Sequence, residues 1–212
     1  RSKIAPVEHH PALPWSTTNA FLVKLRSQNG TAAQALEFTI LTAARTGEVL
    51  GAKWGEIDLA NKIWTVPAGR MKARREHRVP LNSTAIAVLT KLAAMRTVES
   101  LDAFVFPGTA LGRALSGMSM NMLLRRMDHG DITVHGFRST FRDWASEATS
   151  FPREVAEAAL AHTVGNAVEA AYRRGDLFEK RRLMMQAWAT YCDVVAGDGR
   201  VIPLVRAGEP HA

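Results

Sequence analysis

The residues best suited to chemistry in this 212-residue chain are cations, histidines and two tyrosines. In HGFR, His135 and Arg138 stand three apart, so on a helix they project from one face. A guanidinium there can bind two phosphate oxygens as a fork while the imidazole moves a proton. The same spacing fits a helix N-terminus with an exposed arginine, so the pair alone decides nothing. Arg45 ends an apolar helical stretch just before Thr46-Gly47-Glu48, where an ion pair with Glu48 is the plain alternative. Lys72 lies among Arg70, Arg74 and Arg75, where a solvated loop charge is the default reading. His162 follows a Leu-Ala pair, and Tyr172 follows AVEAA and precedes Arg173 and Arg174. The other tyrosine, Tyr191, shares an apolar helix face with Met184 and Trp188 and reads as core.

What is missing narrows the chemistry. The chain has no GxxxxGK phosphate loop, no GxGxxG turn and no HExxH pair. No tight carboxylate cluster of the kind that holds two magnesium ions is present. Glu8-His9-His10 sits in a linker-like arm and reads as solvated. No metal and no cofactor are therefore expected. Cys192 is the only cysteine, which excludes an internal disulfide framework and fits a reducing cytosol. Lys and Arg number 27 against 20 Asp and Glu, a formal charge of +7 that favours a polyanionic partner. The N-terminus lacks the apolar region of a signal peptide, and no apolar run reaches the ~18 residues of a membrane span. A soluble, cytoplasmic protein with no membrane partner is expected.

These residues need elements to position them. Residues 1–15 carry Pro6, Pro11 and Pro14 without periodicity and read as a linker or extended arm. From Thr31, Ala33, Leu36, Ile40 and Ala44 recur at helical spacing. Two β-prone runs, Ile63 to Val66 and Arg78 to Leu81, flank the basic stretch AGRMKARREH and predict a hairpin with a long cationic connection. Ser83 can cap a helix with the stripe Ala85, Val88, Leu89, Leu92 and Met95. FVFP, at 104–107, reads as a short buried strand or turn. MSMNMLLRRM suggests a helix stopped by His129-Gly130, with Met118, Met120, Met122 and Met127 as packing residues. Thr133 caps the helix containing HGFRSTFRDWASEA, and Pro152 suits a first helical turn. A last helix is expected from about Asp176 to Val195, and residues 197–212 read as a flexible tail. The expected fold is mainly α with a small antiparallel β-sheet, in one domain over residues 16–196.

The order along the chain is more telling than any member: Arg45, Lys72 in a hairpin, His135-x-x-Arg138, His162, then Tyr172. With ARTGEVLGAKWGEIDL, MKARREHRVPL, HGFRSTFRDWA and LAHTVGNAVEAAYRRGDLFEKRRLMMQAWATYC, this resembles the tyrosine recombinase family, most closely the integrases of prophages and genomic islands. The resemblance covers residues from about 40 to 195. It implies the DNA breaking-rejoining fold of the integrase catalytic domain.

It also implies roles. Tyr172 would attack the scissile phosphorus, giving a 3′-phosphotyrosine and a free 5′-hydroxyl. A free tyrosine has a pKa of ~10, so forming its phenolate at pH 7 costs roughly 4 kcal/mol and calls for a base and a cationic setting. His135 is the family's candidate base, and Arg45 and Arg138 would hold the non-bridging oxygens. Lys72 would protonate the leaving oxygen, and His162 would hydrogen-bond the phosphate; Glu48 reads as structural. Arg70, Arg74, Arg75, Arg173 and Arg174 would follow DNA phosphates. A phosphodiester exchanged for a phosphotyrosine needs no ATP, and two arginines on the phosphate remove the need for a divalent metal. The implied partners are double-stranded DNA at attachment sites, further protomers in a DNA-bound tetramer, and host DNA-bending and excision factors. The implied setting is the bacterial nucleoid. Family members usually carry arm-binding and core-binding domains ahead of this one, so the chain reads as a fragment, monomeric without DNA. Three alternatives share parts of the pattern: a type IB topoisomerase, a non-catalytic DNA-binding module, and a metal-dependent nuclease.

Overall fold

The structure, a computed structural model, describes residues 11–162 and 175–194. Its described helices are α1 (Thr18–Arg26), α2 (Thr31–Thr42), α3 (Thr46–Leu50), α4 (Ser83–Met95), α5 (Ser119–Arg126), α6 (Gly136–Glu147), α7 (Arg153–Ala159) and α8 (Phe178–Asp193). Between α3 and α4 runs an antiparallel sheet of β1 (Ile57–Asp58), β2 (Ile63–Val66) and β3 (His77–Pro80), in the order β1-β2-β3. The hairpin and its long connection match expectation. β1 does not: two residues are too short for an alternating pattern to register.

The centre of the fold is α2. It packs against α1, α3, α4, α5, α6 and α8, so it is buried well beyond the single face that its alanine and leucine spacing suggests. Thr39 and Thr42 are buried within it, their hydroxyls donating to the carbonyls of Ala35 and Phe38 at 2.7 and 2.6 Å. That local bond is what makes a buried threonine tolerable. The sheet closes one side through Trp64, fully buried and 5.4 Å from Phe38, ring centre to ring centre. In register, Trp64 faces Val79 and Val66 faces His77, which sets His77 at the inner end of the hairpin. On the other side Trp144, Trp188 and Tyr191 form an aromatic cluster, with Trp144 and Trp188 4.9 Å apart.

Several expectations shift. Residues 11–15 are packed rather than linker: Leu13 is buried, Thr140 donates to its carbonyl at 2.6 Å, and Thr133 N–H donates to the Pro11 carbonyl at 3.1 Å. Gly136 is required there, because a Cβ would overlap the Pro11 carbonyl oxygen. Helix α4 is capped by Asn82 instead of Ser83, the Asn82 side chain accepting from Ala85 N–H at 2.9 Å. Thr133 does serve the start of α6, its hydroxyl accepting from Gly136 N–H at 3.0 Å. Of the four methionines expected to pack, Met120 is fully buried and Met127 lies against the core, but Met118 and Met122 are exposed. FVFP is a buried turn region, with Val105 and Phe106 in the core and single bridges from Phe104 to Lys53 and from Pro107 to Ala114. Helix α8 opens at Phe178, two residues later than expected, and buries Arg181 on the same side as Met184 and Trp188. Among the described residues no helix is long and apolar enough to cross a membrane.

Candidate active site

Helix α2 stops because Ala43 takes a left-handed conformation (φ 50°), which turns its carbonyl inward. Arg45, in extended conformation, then caps α3. Glu48, three residues into that helix, closes a capping box on it: one carboxylate oxygen accepts from the Arg45 backbone N–H at 3.0 Å. The other accepts from Arg45 Nη1 at 2.8 Å. Glu48 is buried, so this pair is part of the fold as well as a clamp on the guanidinium. The ion pair of Arg45 with Glu48, the plain alternative for this residue, is therefore present. Its Nη2 reaches the Ala161 carbonyl at 3.3 Å.

A second left-handed residue, Ala161 (φ 50°), ends α7 in the same manner and swings His162 back over the helix. His162 N–H donates to the Glu157 carbonyl at 2.9 Å, and its Nδ1 lies 2.7 Å from Glu157 Oε2. Arg138, in the first turn of α6, joins the two helix ends. Its Nη1 donates to the Ala43 carbonyl at 2.5 Å and its Nη2 to the Leu160 carbonyl at 2.6 Å. The same Nη2 is 3.1 Å from His162 Nε2. So Arg45, Arg138 and His162, from three separate stretches of the sequence, meet at the C-terminal ends of α2 and α7. His162 is exposed while Arg138 is buried, which leaves the group open from one side.

The electrostatics match an anion site. Burial, and then the neighbouring charge of Arg45, lower the Arg138 pKa from 12.5 to about 10. It remains a cation at neutral pH, but one that gains from any anion bound between it and Arg45. Glu157 is buried, which alone would raise its pKa; the hydrogen bond from His162, and then the charge and hydrogen bond of Arg142, hold it below the usual carboxylate range instead. His77 completes the surroundings. Burial first, then the charge of Arg181, bring its pKa down to about 4, and its ring hydrogen-bonds the Ala159 backbone. At neutral pH it is an uncharged link between the hairpin and the end of α7.

The remaining sequence-predicted residues are placed less closely. His135 caps α6 and is exposed, its carbonyl accepting from Arg138 N–H at 3.1 Å. Lys72, Arg74 and Arg75 are exposed on the β2–β3 connection, where Arg74 turns the chain with φ 50°. Arg70 departs from the expectation of a DNA contact. It pairs with Glu56 at 2.7 Å and donates to the carbonyls of Gly51 and Glu48, so its guanidinium fastens the connection to α3. Tyr172, Arg173 and Arg174 lie outside the described residues. Sequence reasoning missed Glu157, Arg142 and His77. Glu157 carries no motif signal five residues before His162, and His77 is one more polar residue in a basic stretch. Among the described residues no three His, Cys, Asp or Glu side chains gather as metal ligands.

Residues 18–177 match the model of the phage integrase family. The chain belongs to that family. It is 40% identical over 152 residues to the prophage integrase IntA of Escherichia coli K12, covering 71% of this chain and 36% of that one. It is 32% identical over 205 residues to the integrase of Enterobacteria phage P4, covering 88% and 46%. The chain thus spans about half or less of these relatives' length. Two solved structures share its fold. XerA recombinase aligns with a TM-score of 0.58 at 15% identity, over 84% of this chain and 63% of the other. A lambda integrase dimer bound to a COC′ core site aligns at 0.53 and 18%, over 80% and 60%. The mainly helical integrase fold with its small antiparallel sheet is therefore the fold of this chain.

Proposed function

We propose that this integrase-family chain is the catalytic domain of a site-specific DNA recombinase, cutting and rejoining strands through a 3′-phosphotyrosine on Tyr172. The observation that carries the reading is the meeting of Arg45, Arg138 and His162 around the carbonyls of Leu160 and Ala161. Two guanidiniums held this close repel each other, and a scissile phosphate between them relieves that repulsion. The same pair stabilises the extra charge of the pentacoordinate transition state. His162 donates to a phosphate oxygen, His135 takes the tyrosine proton, and exposed Lys72 protonates the leaving 5′-oxygen. Neither ATP nor a divalent metal enters this scheme. Arg74, Arg75, Arg173 and Arg174 track the DNA backbone.

The substrate is double-stranded DNA at attachment sites, held by further protomers in a tetramer with host DNA-bending and excision factors. The solved lambda integrase dimer bound to a COC′ core site supports DNA binding by more than one protomer. The protein works at the bacterial nucleoid.

Covalent trapping tests the reading. The protein is incubated, with EDTA, on nicked duplex carrying its attachment site, so that the cleaved 5′ fragment diffuses away. A denaturation-resistant adduct that disappears in Tyr172→Phe and persists in Tyr191→Phe is the expected result. Cleavage that needs added metal, or an adduct retained by Tyr172→Phe, overturns it.

A further inference from the structure

Behind His162, Glu157 has a geometry that the scheme above does not use. It is buried in α7, and three groups converge on it: His162 Nδ1 at 2.7 Å, Arg142 Nε at 2.9 Å and Arg153 Nε at 3.8 Å. An ionised carboxylate accepts and cannot donate, so the proton of this pair sits on His162 Nδ1. The other ring nitrogen, Nε2, faces Arg138 Nη2 at 3.1 Å. A guanidinium has only donors, so Nε2 is the acceptor and the imidazole is the neutral Nδ1–H form before substrate binds.

We propose that Glu157 is the positioning residue for His162, fixing its tautomer and aiming Nε2 at the site where the phosphate is bound. The consequence is a defined exchange of partners. When a phosphate oxygen arrives, Arg138 Nη2 turns from His162 Nε2 to that oxygen. Nε2 takes a proton from solvent and donates it in a hydrogen bond to the phosphate, and the ring becomes an imidazolium. Glu157 is then its counter-ion through the Nδ1–H bond already in place. The charged groups around the ring are Arg138 and Arg142 from α6, Glu157 and Arg153 from α7, and Arg45 ahead of α3, with Glu48 behind Arg45. Arg142 and Arg153 keep the carboxylate ionised and in place.

This inference rests on the recombinase reading, and its test separates the two. The first measurement needs no DNA: imidazole ¹⁵N NMR of the protein reports the His162 tautomer directly. Wild type shows the Nδ1–H form, and Glu157→Gln, which can donate to Nδ1 through its amide, shows loss of that preference. The second measurement is the rate of the Tyr172 adduct on nicked duplex. Glu157→Gln slows it on the order of 10–100-fold, the loss found when a carboxylate behind a metal-bound histidine is removed. The double variant Glu157→Gln with His162→Ala is no slower than His162→Ala alone, because the carboxylate acts only through the ring. A merely structural Glu157 gives losses that multiply instead. Thermal melting of Glu157→Gln checks folding, and Glu157→Asp, which keeps the charge, restores part of the rate. An unchanged tautomer, a wild-type rate in Glu157→Gln, or multiplying losses each overturn the inference. An adduct missing from wild type overturns the recombinase reading, and the NMR result then decides the role of Glu157 on its own.

Discussion

Arg181 Nη1 donates to the main-chain carbonyl of Arg78 at 2.6 Å, tying α8 to β3 across more than a hundred residues of chain. The rest of the Arg181 guanidinium holds Asp176, through its carbonyl at 2.8 Å and its carboxylate at 2.8 Å. Asp176 in turn accepts from the Arg78 side chain at 2.9 Å. The hairpin that presents Lys72 is thereby fastened to the stretch of chain that follows Tyr172.

Breaking that knot is expected to cost stability. Arg181 is 1% exposed, and its removal leaves Asp176 with only the exposed Arg78 side chain as ion-pair partner. Asp176 is a third exposed, so water recovers part of the loss. Arg181→Ala is expected to lose about 3 kcal/mol, the low end for one partner of a buried pair. In a domain of this size that lowers Tm by roughly 6–12 °C in thermal unfolding. Arg181→Met, which keeps the stem and its packing, loses clearly less. A wild-type Tm in Arg181→Met would assign the effect to packing alone.

The Arg45–Arg138 pair predicts that an anion stabilises the protein before any DNA is present. Inorganic phosphate at ten times its Kd adds roughly 1.4 kcal/mol. Differential scanning fluorimetry then reads a rise of roughly 3–6 °C. Arg45→Gln keeps a hydrogen bond to Glu48 but removes one charge, and the rise is expected to vanish. The same variant lowers the adduct rate on the order of 10²–10³-fold, as for loss of a donor to developing charge. A phosphate effect that survives Arg45→Gln would place the anion elsewhere.

How far the site was legible follows from what each residue type advertises. Arg45, Arg138 and His162 stood out because their order along the chain is specific, and the structure places them within hydrogen-bonding reach of one another or of adjoining carbonyls. Arg70 looked identical to Arg74 and Arg75 in a basic run. Only folding shows that Glu56 and two carbonyls hold it. Glu157 was illegible for the opposite reason: a glutamate on a short helix reads as solvated, and its burial depends on Ala161 turning His162 back over it. Helical spacing gave α2, α4 and α8 to within a few residues, but could not tell that α2 is enclosed or that α8 buries an arginine. Met118 and Met122 show the limit of composition. Methionine suits a core and an exposed surface equally, and the local sequence does not choose between them.

His77 predicts a loss of stability in mild acid. Its pKa is about 4 in the folded protein against 6.5 for the free side chain, so the fold favours the neutral ring. Above about pH 6.5 both states carry it neutral, and the contribution is fully present. As pH falls from 6.5 towards 4 the unfolded chain takes the proton first, and up to about 3 kcal/mol is lost. Glu157 and Asp176, held below the usual carboxylate range, lose their contributions only at lower pH. Urea unfolding at pH 7.5 and 5 isolates the histidine: wild type loses stability between them, and His77→Gln loses less. An identical drop in His77→Gln would move the titration to another group.

Cys192 and Tyr191 supply the last prediction, since both are single reporters on α8. Burial raises the Cys192 thiol well above its ordinary value, so the folded protein is expected to resist iodoacetamide at pH 8. Labelling then follows unfolding, and its rate in urea tracks the population of the open state. Tyr191 is stacked on Trp188 with ring centres 5.8 Å apart, and its hydroxyl donates to the Trp15 carbonyl at 3.0 Å. Burial raises its pKa as well, which is the wrong direction for a nucleophile. Tyr191→Phe is therefore expected to lose about 1 kcal/mol, one hydrogen bond's worth, and to label at Cys192 about five times faster in native conditions. Its DNA adduct should form at the wild-type rate. Loss of the adduct in Tyr191→Phe with Cys192 still protected would mean that the helix holding Trp188 takes part in the chemistry.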